Sequence, residues 1–107
     1  MGASKTEHFS ATQNELALLF KAIAHPARVA IVEYLLKIDT CICSDIVNEL
    51  PLAQPTVSQH LKELKNAGII KGSIEGTAIC YCLNPAVMTK MEHYFSAISK
   101  ELKNKCC

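Results

Sequence analysis

The chain has 107 residues, of which 11 are Lys or Arg, 10 are Asp or Glu and six are Cys, and half are apolar. That length suits one domain with a real core and excludes a two-domain enzyme, while 29 Ile, Leu, Val and Phe residues exclude a disordered polymer. Secreted disulfide scaffolds carry few aliphatics, MGASKTEHFSATQNE has no signal-peptide core and no apolar run approaches a membrane span, so a soluble cytoplasmic protein with no membrane partner is expected.

The near-neutral total hides an asymmetry. Residues 1–53 carry four basic and six acidic groups, and residues 54–107 carry seven basic and four acidic. Such a distribution permits a nucleic-acid partner without requiring one. We expect a single domain over residues 1–107, with an N-terminal arm at 1–11 and a mobile tail at 103–107. No repeat, low-complexity tract or linker interrupts it.

In chain order, Leu16, Leu19, Phe20 and Ile23 recur at helical spacing and predict an amphipathic helix over 12–24. His25-Pro26 breaks it, because proline disfavours helix at the preceding residue and starts a new one well. The next helix, 26–37, is apolar nearly all round and should be central. Thr40 to Cys43 (TCIC) suits a short strand, and Ser44-Asp45 suits the start of a helix carrying Ile46, Val47 and Leu50. Pro51-Leu52-Ala53 ends that helix, and Gln54-Pro55-Thr56 opens another, with Val57, Leu61 and Leu64 on one face until Gly68 stops it. Two helices around a three-residue break form a helix-turn-helix signal.

After Gly68 the period changes from 3.6 to 2. Ile70, Gly72 and Ile74 alternate with Lys71, Ser73 and Glu75; a turn at 75–77 follows; Ile79, Tyr81 and Leu83 then alternate with Ala78, Cys80 and Cys82. From Pro85 a last helix carries Val87, Met91, Tyr94, Ile98 and Leu102, with Phe95 alongside, a stripe longer than one small core requires. The order predicts a mainly α fold with a small β wing, a winged helix-turn-helix dimerising through its terminal helices.

At residue level the chain resembles the ArsR/SmtB family of metal- and metalloid-responsive repressors. The stretches that carry the resemblance are FKAIAHPARVAIVEYLL (20–36), TCICSDIVNEL (40–50), LAQPTVSQHLKELKNAGII (52–70) and ICYCL (79–83), spanning most of residues 16–84. It implies a homodimer on a palindromic double-stranded DNA operator, with no RNA partner.

A recognition helix places its N-terminal side chains on base edges, which selects Gln54, Thr56, Ser58 and Gln59 for the major groove. Glutamine can bond an adenine edge bidentately, and the Thr methyl suits a thymine methyl. Lys62, Lys65, Lys71 and Ser73 are phosphate candidates that position without specifying. Family members often carry Arg where Gln59 stands, so one charge contact is missing from the pattern. His60 matches the family's usual residue and reads either as a DNA contact or as a packing histidine. Arg28 matches the HPxR position, where an intramolecular salt bridge is the plainer expectation.

Cys41 and Cys43 flank Ile42, and Cys80 and Cys82 flank Tyr81, so on strands each pair shares a face. In a winged helix these two strands pair. With Ile42 and Tyr81 turned to the core, the four thiols face the other way, close enough to share an ion or form a bridge. Thiolates select soft ions, and the resemblance favours a thiophilic ion such as arsenite, Zn or Cd, with no other cofactor implied. The family's thiol motif sets its second Cys directly before the Asp, whereas Ser44 intervenes here, so that metal site does not transfer unchanged. The family's last-helix zinc site falls near Pro85, Val87, Ile98 and Glu101, of which only Glu101 can ligate. Cys106 and Cys107 on the tail could add a thiol or be inert.

The leading expectation is a repressor released from its operator by a thiol-binding metal or metalloid. Its rival on the same scaffold is a redox or reactive-sulfur sensor using a reversible cross-strand disulfide. A third reading is a metal-buffering or protein-interaction module that does not read DNA. No nucleophile-base arrangement, phosphate loop or carboxylate pair points to an enzyme.

Overall fold

Ser10 and Gln13 open the first helix with a reciprocal capping box: Ser10 Oγ accepts from the Gln13 backbone N–H and Gln13 Oε1 from that of Ser10, both at 3.0 Å. The computed structural model describes residues 7–37, 42–43, 50–75 and 78–105, with backbone alone at 42–43, 73–75 and 78–79. Helices α1 (Ala11–Ile23) and α2 (Pro26–Lys37) lead to strand β1 (Ile42–Cys43) and helix α3 (Gln54–Asn66). Strands β2 (Ile70–Glu75) and β3 (Ala78–Leu83) and helix α4 (Pro85–Lys103) complete the order. Ala11 and Lys103 are helical, one residue further than expected at each end. The helix expected from Ser44-Asp45, and Cys41, Cys106 and Cys107, lie outside the described residues.

The three strands form one antiparallel sheet in the order β1-β3-β2, with Ile42 opposite Tyr81 and Cys43 opposite Cys80. On the other edge, Lys71 pairs with Cys82, Gly72 with Tyr81 and Ser73 with Cys80. The expected wing is therefore present, and β1 pairs with its second strand.

The core gathers Leu19 and Ala22 from α1, Ile31 and Leu35 from α2, Val57, Leu61 and Leu64 from α3, Ile69, Ile70 and Met91, with Tyr81, Leu83 and Val87 packed against it. Ile31, Val57, Leu64 and Ile69 are wholly buried. Helix α2 is central but not buried all round, since Val29 and Leu36 are exposed. The α4 stripe also divides: Val87 and Met91 join the core, whereas Tyr94, Phe95, Ile98 and Leu102 are exposed. Phe20 of α1 meets the Tyr94 and Phe95 rings, with centroids 5.7 and 5.2 Å away.

Gly68 takes the role expected of it. Its φ of 84° is left-handed, and the Gly68 and Ile69 N–H groups donate to the Lys65 and Leu64 carbonyls, closing a Schellman motif at the end of α3. Asn84 then ties this corner to the start of α4. Its backbone N–H donates to Ile69 O and its side-chain amide to Gly68 O, both at 3.0 Å, while Oδ1 accepts from the Ala86 N–H. Asn84→Ala removes a helix cap and leaves a half-buried carbonyl unpaired. We expect a loss of about 1–2 kcal/mol in urea unfolding with the fold retained.

Candidate nucleic-acid interface

Helix α3 turns about 100° per residue, so Val57, His60, Leu61 and Leu64 fall on one arc and are buried. The remaining arc exposes Gln54, Thr56, Ser58, Gln59, Lys62 and Lys65, six of the nine residues expected to touch DNA. The helix starts with Pro55 in its first turn and without a side-chain cap at Ala53, an end whose dipole favours anions. Gln59 Nε2 donates to Glu63 Oε1 at 3.1 Å, which lays that amide along the helix surface.

Lys71 is exposed on β2, and only the backbone of Ser73 is described. The Lys65 side chain reaches across the wing at Gly72: a Cβ built there would lie 3.2 Å from Lys65 Nζ. The missing side chain at Gly72 thus seats a lysine of α3 against the face of the wing opposite to Lys71.

His60 is corrected as a DNA contact. It is 8% exposed and points inward, where its Nδ1 accepts from Arg28 Nε at 3.0 Å. The His25 ring lies 4.4 Å from it, centroid to centroid. Among the described residues, Arg28 meets a carbonyl and an imidazole rather than a carboxylate: Nη1 donates to the Ala22 carbonyl at 2.9 Å and Nε to His60. Neither hydrogen-bond partner is visible in local spacing. His25, whose place before Pro26 marks a helix break in the sequence, also caps α2, its Nδ1 accepting from the Ala27 N–H at 3.0 Å and its carbonyl from the Arg28 and Val29 N–H groups. The signal was available, since a polar residue directly before Pro-x-x stands where a cap belongs.

Tyr81 packs against the core, so Cys80 and Cys82 alternate to the other face of β3. Cys80 is buried, and both cysteines are disulfide-bonded. A sulfur held in a disulfide is not a thiolate, so in this state Cys80 and Cys82 offer no soft-ion ligand. Among the described residues no group of three or more His, Cys, Asp or Glu is placed to hold one. Nor, among the described residues, is any helix long and apolar enough to cross a membrane.

The profile of the arsR family of bacterial regulatory proteins matches residues 25–71, which run from the α2 cap through the recognition helix to the first wing strand. The repressor SdpR of Bacillus subtilis is 37% identical over 70 residues, 65% of this chain and 77% of SdpR. The chain belongs to the ArsR family. The repressor SmtB of Mycobacterium tuberculosis is 43% identical over 65 residues, 61% of this chain and 47% of SmtB, so the match spans about half the length of that relative. In fold, an ArsR-like transcriptional regulator from Rhodococcus sp. RHA1 superposes with a TM-score of 0.75 at 24% identity, covering 89% of each chain. The family is one of regulators, not enzymes.

Burial lowers the His60 pKa below its ordinary 6.5, and His25 and then Arg28 add to the shift. The folded protein thus resists a proton that the unfolded chain accepts. Stability from the neutral imidazole is complete above about pH 6.5 and is lost as pH falls through the lowered folded value. Urea unfolding of the wild type should therefore weaken more steeply from about pH 7 to about pH 5 than that of His60→Asn, which has nothing to titrate at this position.

Proposed function

We propose that this protein is a DNA-binding transcriptional repressor that acts as a homodimer on a palindromic operator. The observation that carries this reading is the outward row on α3, Gln54, Thr56, Ser58, Gln59, Lys62 and Lys65, held on a buried apolar face and continued by Lys71 on the wing. Glutamines at the helix start are the base readers, and the lysines meet phosphates. The exposed Leu18, Tyr94, Phe95, Ile98 and Leu102 on the two terminal helices supply an apolar face for a second copy. Two-fold symmetry then sets half-sites about 34–36 Å apart, one turn of DNA.

Effector control is assigned to two pairs of cysteines. In the reduced protein, Cys41, Cys43, Cys80 and Cys82 offer thiolates for arsenite, Zn or Cd, and binding weakens the DNA complex by a reciprocal coupling of about 1–3 kcal/mol. A second reading is favoured by the disulfides on Cys80 and Cys82. Here oxidation itself is the signal: two thiols form a disulfide, giving two protons and two electrons to a peroxide, which leaves as water. Reduction by a small thiol reverses the step.

Two measurements test this. With a duplex selected from a random pool, Gln54→Ala and Gln59→Ala should each relax base preference by about 1–3 kcal/mol at unchanged thermal stability. Lys62→Ala and Lys65→Ala should weaken all duplexes alike and flatten the salt slope by about one each. Unchanged preference in the glutamine variants would favour a module that does not read DNA. For the effector, the reduced protein is titrated on that duplex with arsenite, Cd or Zn, and separately with peroxide. Release by an ion under reducing conditions supports ion sensing; release by peroxide alone, reversed by a thiol and absent in Cys80→Ser plus Cys82→Ser, supports the redox reading.

A further inference from the structure

Arg28 is the only arginine in the chain, and its guanidinium joins three helices. It leaves the first turn of α2, donates to the Ala22 carbonyl near the end of α1 at 2.9 Å, and donates to His60 Nδ1 on α3 at 3.0 Å. His60 directly follows Gln59, one of the base-reading candidates, and is turned inward beneath it. The junction therefore lies on the underside of the reading surface.

We propose that Arg28 and a neutral His60 are a positioning pair that holds the recognition helix in its DNA-competent pose, so that protonation of His60 releases the helix and makes DNA binding acid-sensitive. This rests on the DNA-binding reading above. The chemistry is one of donors and acceptors. Arg28 Nε always carries its hydrogen, so the bond exists only while Nδ1 keeps its lone pair. A proton there sets donor against donor and cation against cation.

Among the described residues, the surroundings do not offset that charge. His25 and Arg28 face His60 from α2, and burial and both these neighbours already disfavour the imidazolium. Lys21 of α1 and Glu63 of α3 line the cleft that Arg28 borders. The Glu63 carboxylate is the one acid among these groups, and it already accepts from Gln59. Relief requires the imidazole to move, and α3 moves with it.

The sign of the effect separates this from bulk electrostatics. Lowering pH adds positive charge to any protein and strengthens its hold on phosphates. A positioning pair predicts the reverse. The test uses the reduced full chain and a duplex that the wild type selects from a random pool, with affinity read by fluorescence anisotropy at constant ionic strength.

The wild type should lose about tenfold in affinity from about pH 7.5 to about pH 5.5, the fold-change of one pKa unit. His60→Asn places an amide oxygen near the Nδ1 position and cannot titrate there; it should bind within about threefold of wild type at the higher pH and not weaken at the lower. Arg28→Lys keeps the charge but not the two-pronged geometry, and should lose about tenfold already at the higher pH. The inference is overturned if wild-type affinity holds or rises as pH falls, or if His60→Asn tracks the wild type. It is also overturned if helical circular dichroism is lost in parallel with binding, since the chain would then be unfolding. Failure of the wild type to bind any duplex at the higher pH removes the DNA-binding reading itself, and this inference with it.

Discussion

The burial of Val57, Leu61 and Leu64 against Ile31, Ile69 and Ile70 is the constraint on which the rest of the molecule depends. These side chains occupy one arc of α3, and a helix has a fixed angular step, so burying that arc decides where every other side chain on the helix points. The outward row from Gln54 to Lys65 is a consequence of what lies beneath it. Large-to-small changes in such a core cost about 2–5 kcal/mol, so the display of the reading surface and the stability of the domain rest on the same contacts.

Apolar contact sets rotation well and translation along the helix axis poorly, because it is not directional. The polar elements supply the remaining specification. Arg28 links Ala22 O and His60 Nδ1, the Schellman motif fixes the end of α3, and Asn84 joins that end to α4. The exposed Lys90–Glu15 pair between α1 and α4 adds little, since an exposed ion pair contributes at most about 1 kcal/mol.

Much of this was legible in the chain because the signals are local. The change of period after Gly68, the glycine itself, and Pro26, Pro55 and Pro85 at helix starts are read within a few residues. Helical spacing alone also puts His60 inside, three residues after Val57 and four before Leu64. The family resemblance allows a DNA contact as well, and the packing alternative holds because Arg28 supplies a partner from 32 residues away. Such a partner is not encoded in spacing. The α4 stripe shows the converse: its pattern continues unchanged from Met91 to Leu102, but the domain's own core ends at Met91, so the periodicity marks an apolar face without saying which molecule covers it.

The sheet decides how sulfur chemistry can reach DNA. β3 is the central strand, and its registers set Lys71 opposite Cys82 and Ser73 opposite Cys80, while Tyr81 between the cysteines packs against the core. Directly opposed residues of an antiparallel pair share a face with Cβ atoms about 5 Å apart. Cys82 is therefore a close neighbour of a phosphate-contact candidate. The recognition helix lies on the core side, shielded from the same sulfur by the strand itself. A bond made or broken at Cys82 acts first on the wing, through the side chain beside it, and only through the Tyr81 packing on α3. Signals entering by the cysteines should thus alter phosphate affinity more than base preference, whereas signals entering through His60 act on the helix that carries the base readers.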